Sequence, residues 1–134
     1  MAQFLKFEVI WKDEHMFELR IVMTNGLFSG VTQVYSMGEI LSDFSKELDT
    51  YSLDDGTVTF TGGIDGYNCK ITFDYLDKGG RIIVKALLEE EGTAGLNSVS
   101  LYIITEPALL DNFQKELRVL SVRDKGTAVL VGIS

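Results

Sequence analysis

One histidine and one cysteine are the residues of this 134-residue chain best suited to nucleophilic catalysis. A Cys–His pair requires contact in the fold rather than nearness in sequence, so His15 and Cys69 are candidates. However, Cys69 falls on the apolar face of an alternating stretch, where a thiol is usually buried and unreactive. His15 lies beside Asp13 and Glu14 in a polar segment. We therefore expect no catalytic dyad, and a Ser–His–Asp triad lacks its Gly-x-Ser-x-Gly elbow.

Metal and phosphate sites are also not indicated. The dense acidic groups, Asp54-Asp55 and Glu89-Glu90-Glu91, lack the ligand spacing of a calcium loop. The glycines of residues 62–66 follow a strand pattern, but neither a helix pattern nor Gly-Lys-Ser/Thr comes after them. The 20 acidic residues allow many carboxylate pairs, and nothing in the sequence singles one out. We therefore expect no cofactor, no metal and no enzymatic activity.

Composition and charge narrow the class of protein. A hydrophobic fraction of 46% with 24% charged residues is ordinary for a soluble globular protein. The length predicts a single domain covering residues 1–134. A net charge of −8 argues against direct nucleic-acid binding, whereas it suits solubility or a basic protein partner. No signal peptide or membrane-spanning run is recognisable, and a lone cysteine forms no internal disulfide, so we expect a cytoplasmic protein without membrane contact.

Alternation of apolar and polar residues predicts most of the elements that position these side chains. Turn signals at Asn25-Gly26 and at Asp77-Lys78-Gly79-Gly80 separate neighbouring alternating stretches. Gly30 interrupts the third stretch and is a candidate bulge site. The expected strands are 5–11, 17–23, 27–35, 57–61, 69–75, 82–88, 99–103 and 128–133.

Two amphipathic helices are predicted over Ile40–Tyr51 and Leu109–Leu120, because apolar residues recur there at helical spacing. Ser36 and Glu39 have the Ser-x-x-Glu spacing of a capping box before the first helix. Thr105 is a candidate cap for the second helix, and Pro107 suits its first turn.

The two helices also resemble each other, which predicts a duplicated chain. The positions of Leu41, Phe44 and Leu48 recur at Leu110, Phe113 and Leu117. The flanking strands match in the same order, with Phe7 aligned to Ile71 and Ile21 to Ala86. We therefore predict an α+β fold built from a duplicated βββαβ unit (about 4–63 and 68–134), with about eight mostly antiparallel strands, two helices and a pseudo-twofold arrangement. The copies differ most at residues 62–68, an expected linker, and 89–97, an expected polar loop.

Several motifs together resemble small bacterial proteins of the WapI type. They are Phe28-Ser29-Gly30, Leu41-x-x-Phe44-x-x-x-Leu48, Gly62-Gly63, the Asp77–Gly80 turn, and the segment Thr105-Glu106-Pro107-x-x-Leu110-x-x-Phe113-x-x-x-Leu117. Such proteins are regarded as immunity proteins of contact-dependent toxin systems. The resemblance implies a protein that binds and neutralises a cognate toxin, often a basic nuclease. It places no functional residue on this chain.

The residues suggest one hypothesis for a partner surface. Asp54, Asp55, Glu89, Glu90 and Glu91 are dense in expected loops and would attract a basic partner. Two alternatives remain open: a small-ligand binder or enzyme using a cleft between the copies, and a structural module that self-associates through an exposed strand edge. The sequence does not give the oligomeric state or the identity of the partner.

Overall fold

Strands make up most of the fold, and two helices interrupt them. The computed structural model describes residues 2–49, 56–64, 67–122 and 125–133. These residues form eight strands and two helices, which confirms the predicted α+β class. In chain order they are β1 (Phe4–Lys12), β2 (Phe17–Thr24), β3 (Ser29–Ser36), α1 (Gly38–Asp49), β4 (Val58–Ile64), β5 (Tyr67–Tyr75), β6 (Ile82–Gly92), β7 (Gly95–Thr105), α2 (Pro107–Leu120) and β8 (Gly126–Val131).

All eight strands belong to one antiparallel sheet with the order β7-β6-β5-β4-β3-β2-β1-β8. Short turns join most neighbours, as antiparallel strands allow. There are two exceptions: α1 lies between β3 and β4, and β8 returns after α2 to pair with β1 at the far edge. β3 and β4 are linked through the single pair Tyr35–Gly63, so the sheet is weakest between its two halves.

The two edge strands of the sheet approach each other at one end. The Ile133 N–H, just after β8, donates to the Ile104 carbonyl of β7 at 2.7 Å. The Thr105 hydroxyl donates to the Val131 carbonyl at 2.8 Å. The sheet therefore bends round far enough for its edges to meet, which occupies part of the backbone that an open edge would offer to another chain.

One apolar cluster fills the concave side of this bent sheet. Alternate residues of the strands point into it, as the period of two predicts, and both helices contribute their apolar faces. Phe7 of β1 lies at its centre, with ring centroids 6.0 Å from Phe44, 5.0 Å from Phe60 and 5.8 Å from Phe113. We call the face bearing these residues the inner face and the opposite one the outer face.

The two helices lie side by side and run in the same direction. Ser45 of α1 contacts Gln114 of α2, and one turn later Asp49 pairs with Arg118 at 3.4 Å. The second contact lies one turn further along both helices than the first, which requires that the helices run parallel. Arg118 lies in the last turn of α2, where a positive charge also favours the helix dipole.

Both predicted N-terminal caps differ from the observed ones. α1 begins at Gly38, and Ser36 is the buried last residue of β3, with its hydroxyl donating to the Met37 carbonyl. At α2 the cap residue is Glu106, without a side-chain cap bond, because the Thr105 hydroxyl is directed to β8. In each case a strand ends immediately before the helix, and the serine or threonine belongs to that strand. Pro107 occupies the first turn of α2 as predicted.

The segment 89–97, predicted to be a polar loop, is instead the hairpin that joins β6 to β7. Glu89, Glu90 and Glu91 pair with Ser98, Asn97 and Leu96 respectively. Backbone hydrogen bonds form the ladder whatever the polarity of the side chains, so acidic residues at a hairpin end do not stop it. Gly95, with φ of 143°, follows the Thr93-Ala94 turn. The expected linker 62–68 likewise belongs largely to β4 and β5.

The predicted turns at Asn25 and Asp77 are confirmed. The Asn25 carboxamide oxygen accepts backbone N–H bonds from Leu27 at 3.0 Å and Phe28 at 2.9 Å. Arg81 Nε donates to Asp77 Oδ2 at 2.6 Å, and this bond is the main reason that the pKa of Asp77 lies below its ordinary value. Gly30, expected as a bulge, pairs regularly with Met23.

Candidate partner-binding surface

Cys69 and His15, the candidates for nucleophilic catalysis, differ in their exposure to solvent. Cys69 is buried on the inner face of β5, and burial raises the pKa of its thiol to about 12. Such a thiol holds its proton and is a poor nucleophile at neutral pH. His15 is exposed in the β1–β2 turn, where its ring lies 3.8 Å from the Glu14 carboxylate. Within the described residues, no hydrogen bond joins the two side chains.

A concave region between the helices and the sheet has a volume of about 370 Å³ but is lined by carboxylates that already have partners. Asp49 pairs with Arg118, and Asp111 pairs with Lys115 at 3.3 Å. No group of three or more metal-ligating side chains occurs in the part of the chain that the structure describes.

The structure divides the acidic residues named from the sequence. Asp54 and Asp55 lie outside the described residues. Glu90 is on the same face of β6 as the buried Leu88, whereas Glu89 and Glu91 alternate to the other face. The triplet therefore does not form one continuous acidic surface, although Glu89 and Glu90 both line a cleft near the hairpin.

A β-bulge in β1 turns Trp11 away from the core. The ladder pairs Val9 with Leu19, skips Ile10, and then pairs Trp11 with Glu18. An inserted residue changes the face that the next side chain takes, and Trp11 is 50% exposed. Unbroken alternation along residues 5–11 would place Trp11 on the inner face with Val9, and the bulge moves it to the outer face. Three apolar residues in a row, Val9 to Trp11, were the available signal, since an alternating strand cannot bury all of them.

Trp11 belongs to a row of side chains that crosses three strands on the outer face. Trp11 pairs with Glu18, and Glu18 pairs with Tyr35. Opposed side chains in neighbouring strands have Cβ atoms about 4.5–5.5 Å apart. The two aromatic side chains therefore flank the Glu18 carboxylate, and Tyr35 is 39% exposed.

Two exposed methionines lie just beyond the end of the β2–β3 ladder. The last pair between β2 and β3 is Phe17–Ser36. Met16 precedes it on one strand, Met37 follows it on the other, and both are exposed. Thioether side chains adapt to different partner shapes. We name Trp11, Met16, Tyr35 and Met37 the aromatic patch.

Four carboxylates lie on the segments that carry the aromatic patch. Asp13 and Glu14 lie in the β1–β2 turn, Glu18 is in the row itself, and Glu39 is in the first turn of α1. The backbone N–H groups of His15 and Met16 each donate to Asp13 Oδ1 at 2.8 Å. These bonds hold the pKa of Asp13 below its ordinary value, so its charge persists at mildly acidic pH.

Comparison of the chain with protein-family models, curated proteins and solved structures finds no match. Among the described residues, neither helix has the length and apolar character needed to cross a membrane. The aromatic patch is one of the exposed apolar features of the outer face, and it combines two aromatic and two thioether side chains.

Proposed function

We propose that this chain is a non-enzymatic binding protein that captures a basic protein toxin, such as a nuclease, and neutralises it in the cytoplasm. The observation that carries the proposal is the aromatic patch with the carboxylates on the same segments. Tryptophan and tyrosine are enriched among the residues that contribute most to binding between proteins. A cluster of large apolar side chains with a polar rim is typical of an interaction surface.

Charge supports a basic partner. The chain carries a net charge of −8, and Asp13, Glu14, Glu18 and Glu39 place part of that charge at the edge of the patch. Opposite charge on the partner would accelerate encounter and favour it over neutral proteins. Nuclease toxins need basic surfaces to hold phosphate, so covering such a surface would also block substrate. The resemblance to WapI-type immunity proteins agrees with this direction.

We also propose that the scaffold is a duplicated βββαβ unit with a pseudo-twofold axis along the two helices. The element order βββαβ occurs twice in succession. Ser45 and Gln114, which contact each other, are 69 positions apart. Asp49 and Arg118, which form an ion pair, have the same separation. Residues at equivalent positions meet each other only where a symmetry axis passes between them.

The strand registers support the same duplication. The alignment of the copies matches Phe7 with Ile71 and Ile21 with Ala86. Phe7 pairs with Ile21 in the first half, and Ile71 pairs with Ala86 in the second. The two ladders therefore have the register that a repeated unit requires. On this view the inner face is devoted to the scaffold, and partner specificity belongs to features that differ between the halves, such as the Trp11 bulge.

The test is co-expression of the chain with the product of the adjacent gene. A stable one-to-one complex that suppresses the toxicity of that product is the expected result. Capture should weaken as salt rises, because the proposed attraction is partly electrostatic. A partnerless chain that binds a metabolite, or one whose melting temperature rises with its own concentration, would contradict the proposal.

Charge-reversal variants locate the binding surface. Glu14→Lys with Glu39→Lys changes the rim of the aromatic patch, and Glu89→Lys with Glu91→Lys makes the same change in charge at the β6–β7 hairpin. We expect the rim variant to weaken capture and flatten its salt dependence more than the hairpin variant does. The reverse order would support the acidic hairpin as the partner surface instead of the patch.

A further inference from the structure

A cleft between β3 and the β6–β7 hairpin is not explained by the binding surface proposed above. It has a volume of about 220 Å³, which gives room for several water-sized groups. Its buried part is formed by Leu88 and Thr32, and its exposed part by Glu90 and Asn97. The remaining lining residues are Gly30, Val31, Glu89, Ser98 and Val99.

Gly30 lets the strands on the two sides of this cleft approach closely. A Cβ atom at Gly30 would lie 2.5 Å from Val99 Cγ1 and 2.8 Å from Leu88 Cδ1. Real side chains do not pack at such distances. The absence of a side chain at Gly30 therefore fixes the width of the cleft near its apolar end.

Thr32 is the unusual residue of the cleft. Its side chain is only 4% exposed, and its Oγ1 has no hydrogen-bond partner among the described residues. It pairs across the ladder with Ile21, in an apolar setting where valine would fill the same volume. A buried hydroxyl without a partner is destabilising. It becomes useful if a ligand in the cleft supplies the missing partner.

The polar groups of the cleft all favour a cationic ligand. Glu90 brings a carboxylate on the same face as Leu88, while Asn97 and Thr32 offer neutral acceptors. Glu89 and its ladder partner Ser98 line the cleft from strand positions whose side chains alternate to the other face. No lysine or arginine lines the cleft, and neither glutamate forms an ion pair within the described part of the chain. Leu88 and Val99 supply an apolar wall.

We propose that this cleft binds a guanidinium group. A planar guanidinium donates several N–H bonds in a fixed plane and pairs well with carboxylates. Its aliphatic stem can pack along an apolar wall, here formed by Leu88 and Val99. A compact ammonium would use fewer of the acceptors. A free small molecule or an arginine side chain of a protein can supply this group, and the experiment separates these sources.

The experiment is an NMR titration of the isotope-labelled full chain with N-acetyl-arginine amide. We expect saturable shifts at the backbone amides of Thr32, Asn97 and Ser98. N-acetyl-citrulline amide, a neutral analogue of the same shape, should bind at least about tenfold more weakly, because charge-assisted hydrogen bonds are the stronger kind. Equal binding of the two compounds, or shifts confined to other regions, would overturn the proposal.

Variants tie the binding to the cleft. Glu90→Gln should weaken the binding of N-acetyl-arginine amide by about fivefold or more, because the substitution removes a charge but keeps the shape of the side chain. Thr32→Val should also weaken it without lowering the melting temperature, and Thr32→Ser should restore binding. An unaffected affinity in both Glu90→Gln and Thr32→Val would contradict the proposal.

A comparison of N-acetyl-arginine amide with free arginine identifies the source of the guanidinium group. Free arginine carries a carboxylate that Glu90 would repel, whereas the amide resembles a residue within a protein. Tighter binding of the amide supports an arginine side chain, and equal binding supports a free molecule. This result is independent of the aromatic patch, because loss of guanidinium binding in the cleft would leave capture through Trp11 and Tyr35 unchanged.

Discussion

Ser45 of α1 and Gln114 of α2 hydrogen-bond to each other in the interior of the protein. Ser45 Oγ donates to the Gln114 carbonyl at 3.4 Å, and Gln114 Nε2 donates to Ser45 Oγ at 3.4 Å. Both side chains are buried. The remaining side-chain oxygen of Gln114 has no partner among the described residues. A partly satisfied polar contact therefore lies between two otherwise apolar helix faces, at the point where the proposed copies meet.

Phe44 and Phe113 flank this contact and should each be essential for stability. Both are buried, and both rings lie against Phe7. Phe44→Ala and Phe113→Ala should each lower the free energy of unfolding by about 3–5 kcal/mol, because each leaves a cavity in the core. Chemical denaturation measures the loss, with the exposed positions Asp43→Ala and Asn112→Ala as controls. A loss below about 1 kcal/mol in either phenylalanine variant would count against the proposed core.

Gln114→Met should raise the free energy of unfolding by about 1 kcal/mol. The substitution removes a buried acceptor without a partner, whose burial costs about 1–3 kcal/mol, and methionine has a similar length and a flexible shape. The Ser45 hydroxyl keeps the Gln114 backbone carbonyl as its acceptor. Urea denaturation of Gln114→Met beside Gln114→Ala separates the polar effect from lost packing. A destabilised methionine variant would mean that the side-chain oxygen has a favourable role.

The alternation of apolar residues was sufficient to predict the class of fold and the core. Phe44, Phe113 and the inward residues of the strands other than Trp11 were placed correctly, because burial of apolar side chains dominates that choice. The pairing of β8 with β1 was not predictable, since it joins residues from opposite ends of the chain. The predictions of the helix caps were wrong because Ser36 and Thr105 are the last residues of the strands that precede the helices. Their hydroxyls donate to the Met37 and Val131 carbonyls respectively.

The candidate surface was harder to predict than the core. The face of Trp11 depends on a bulge at Ile10, and the apolar run from Val9 to Trp11 shows that the alternation fails there without showing which residue is inserted. Glu89–Glu91 looked like a loop because the side chains are charged, whereas the ladder depends on the backbone. Density of charge along the sequence therefore did not reveal which carboxylates share a face.

Gly30→Ala tests the close approach of β3 to β6 and β7. The added methyl group would overlap Val99 and Leu88, and overpacking of this kind costs about 1–3 kcal/mol. Differential scanning calorimetry should show a lower melting temperature for Gly30→Ala. Adding Val99→Ala should recover part of the loss by making room, whereas additive losses in the double variant would contradict the contact.

The Cys69 thiol should be protected while the protein is folded. Burial raises its pKa from the ordinary 9.0 to about 12, so Ellman's reagent should react slowly in buffer and rapidly in concentrated urea. Because the folded state holds the proton more tightly, this residue's contribution to stability is complete below pH 9.0 and falls as pH rises toward 12. Cys69→Ala should lack that alkaline loss. Rapid labelling of the folded protein would contradict the buried position.

The most direct test of the proposed function is the dissociation constant of the complex for Trp11→Ala, measured by isothermal titration calorimetry against the captured partner. Tyr102→Ala is the matched control, because Tyr102 is an exposed aromatic residue of β7. Trp11→Ala should weaken binding by about 2 kcal/mol or more, as loss of a central tryptophan does in protein interfaces, while Tyr102→Ala should leave it nearly unchanged. Equal affinity of the two variants and the unaltered chain would contradict the assignment of the aromatic patch as the partner-binding surface.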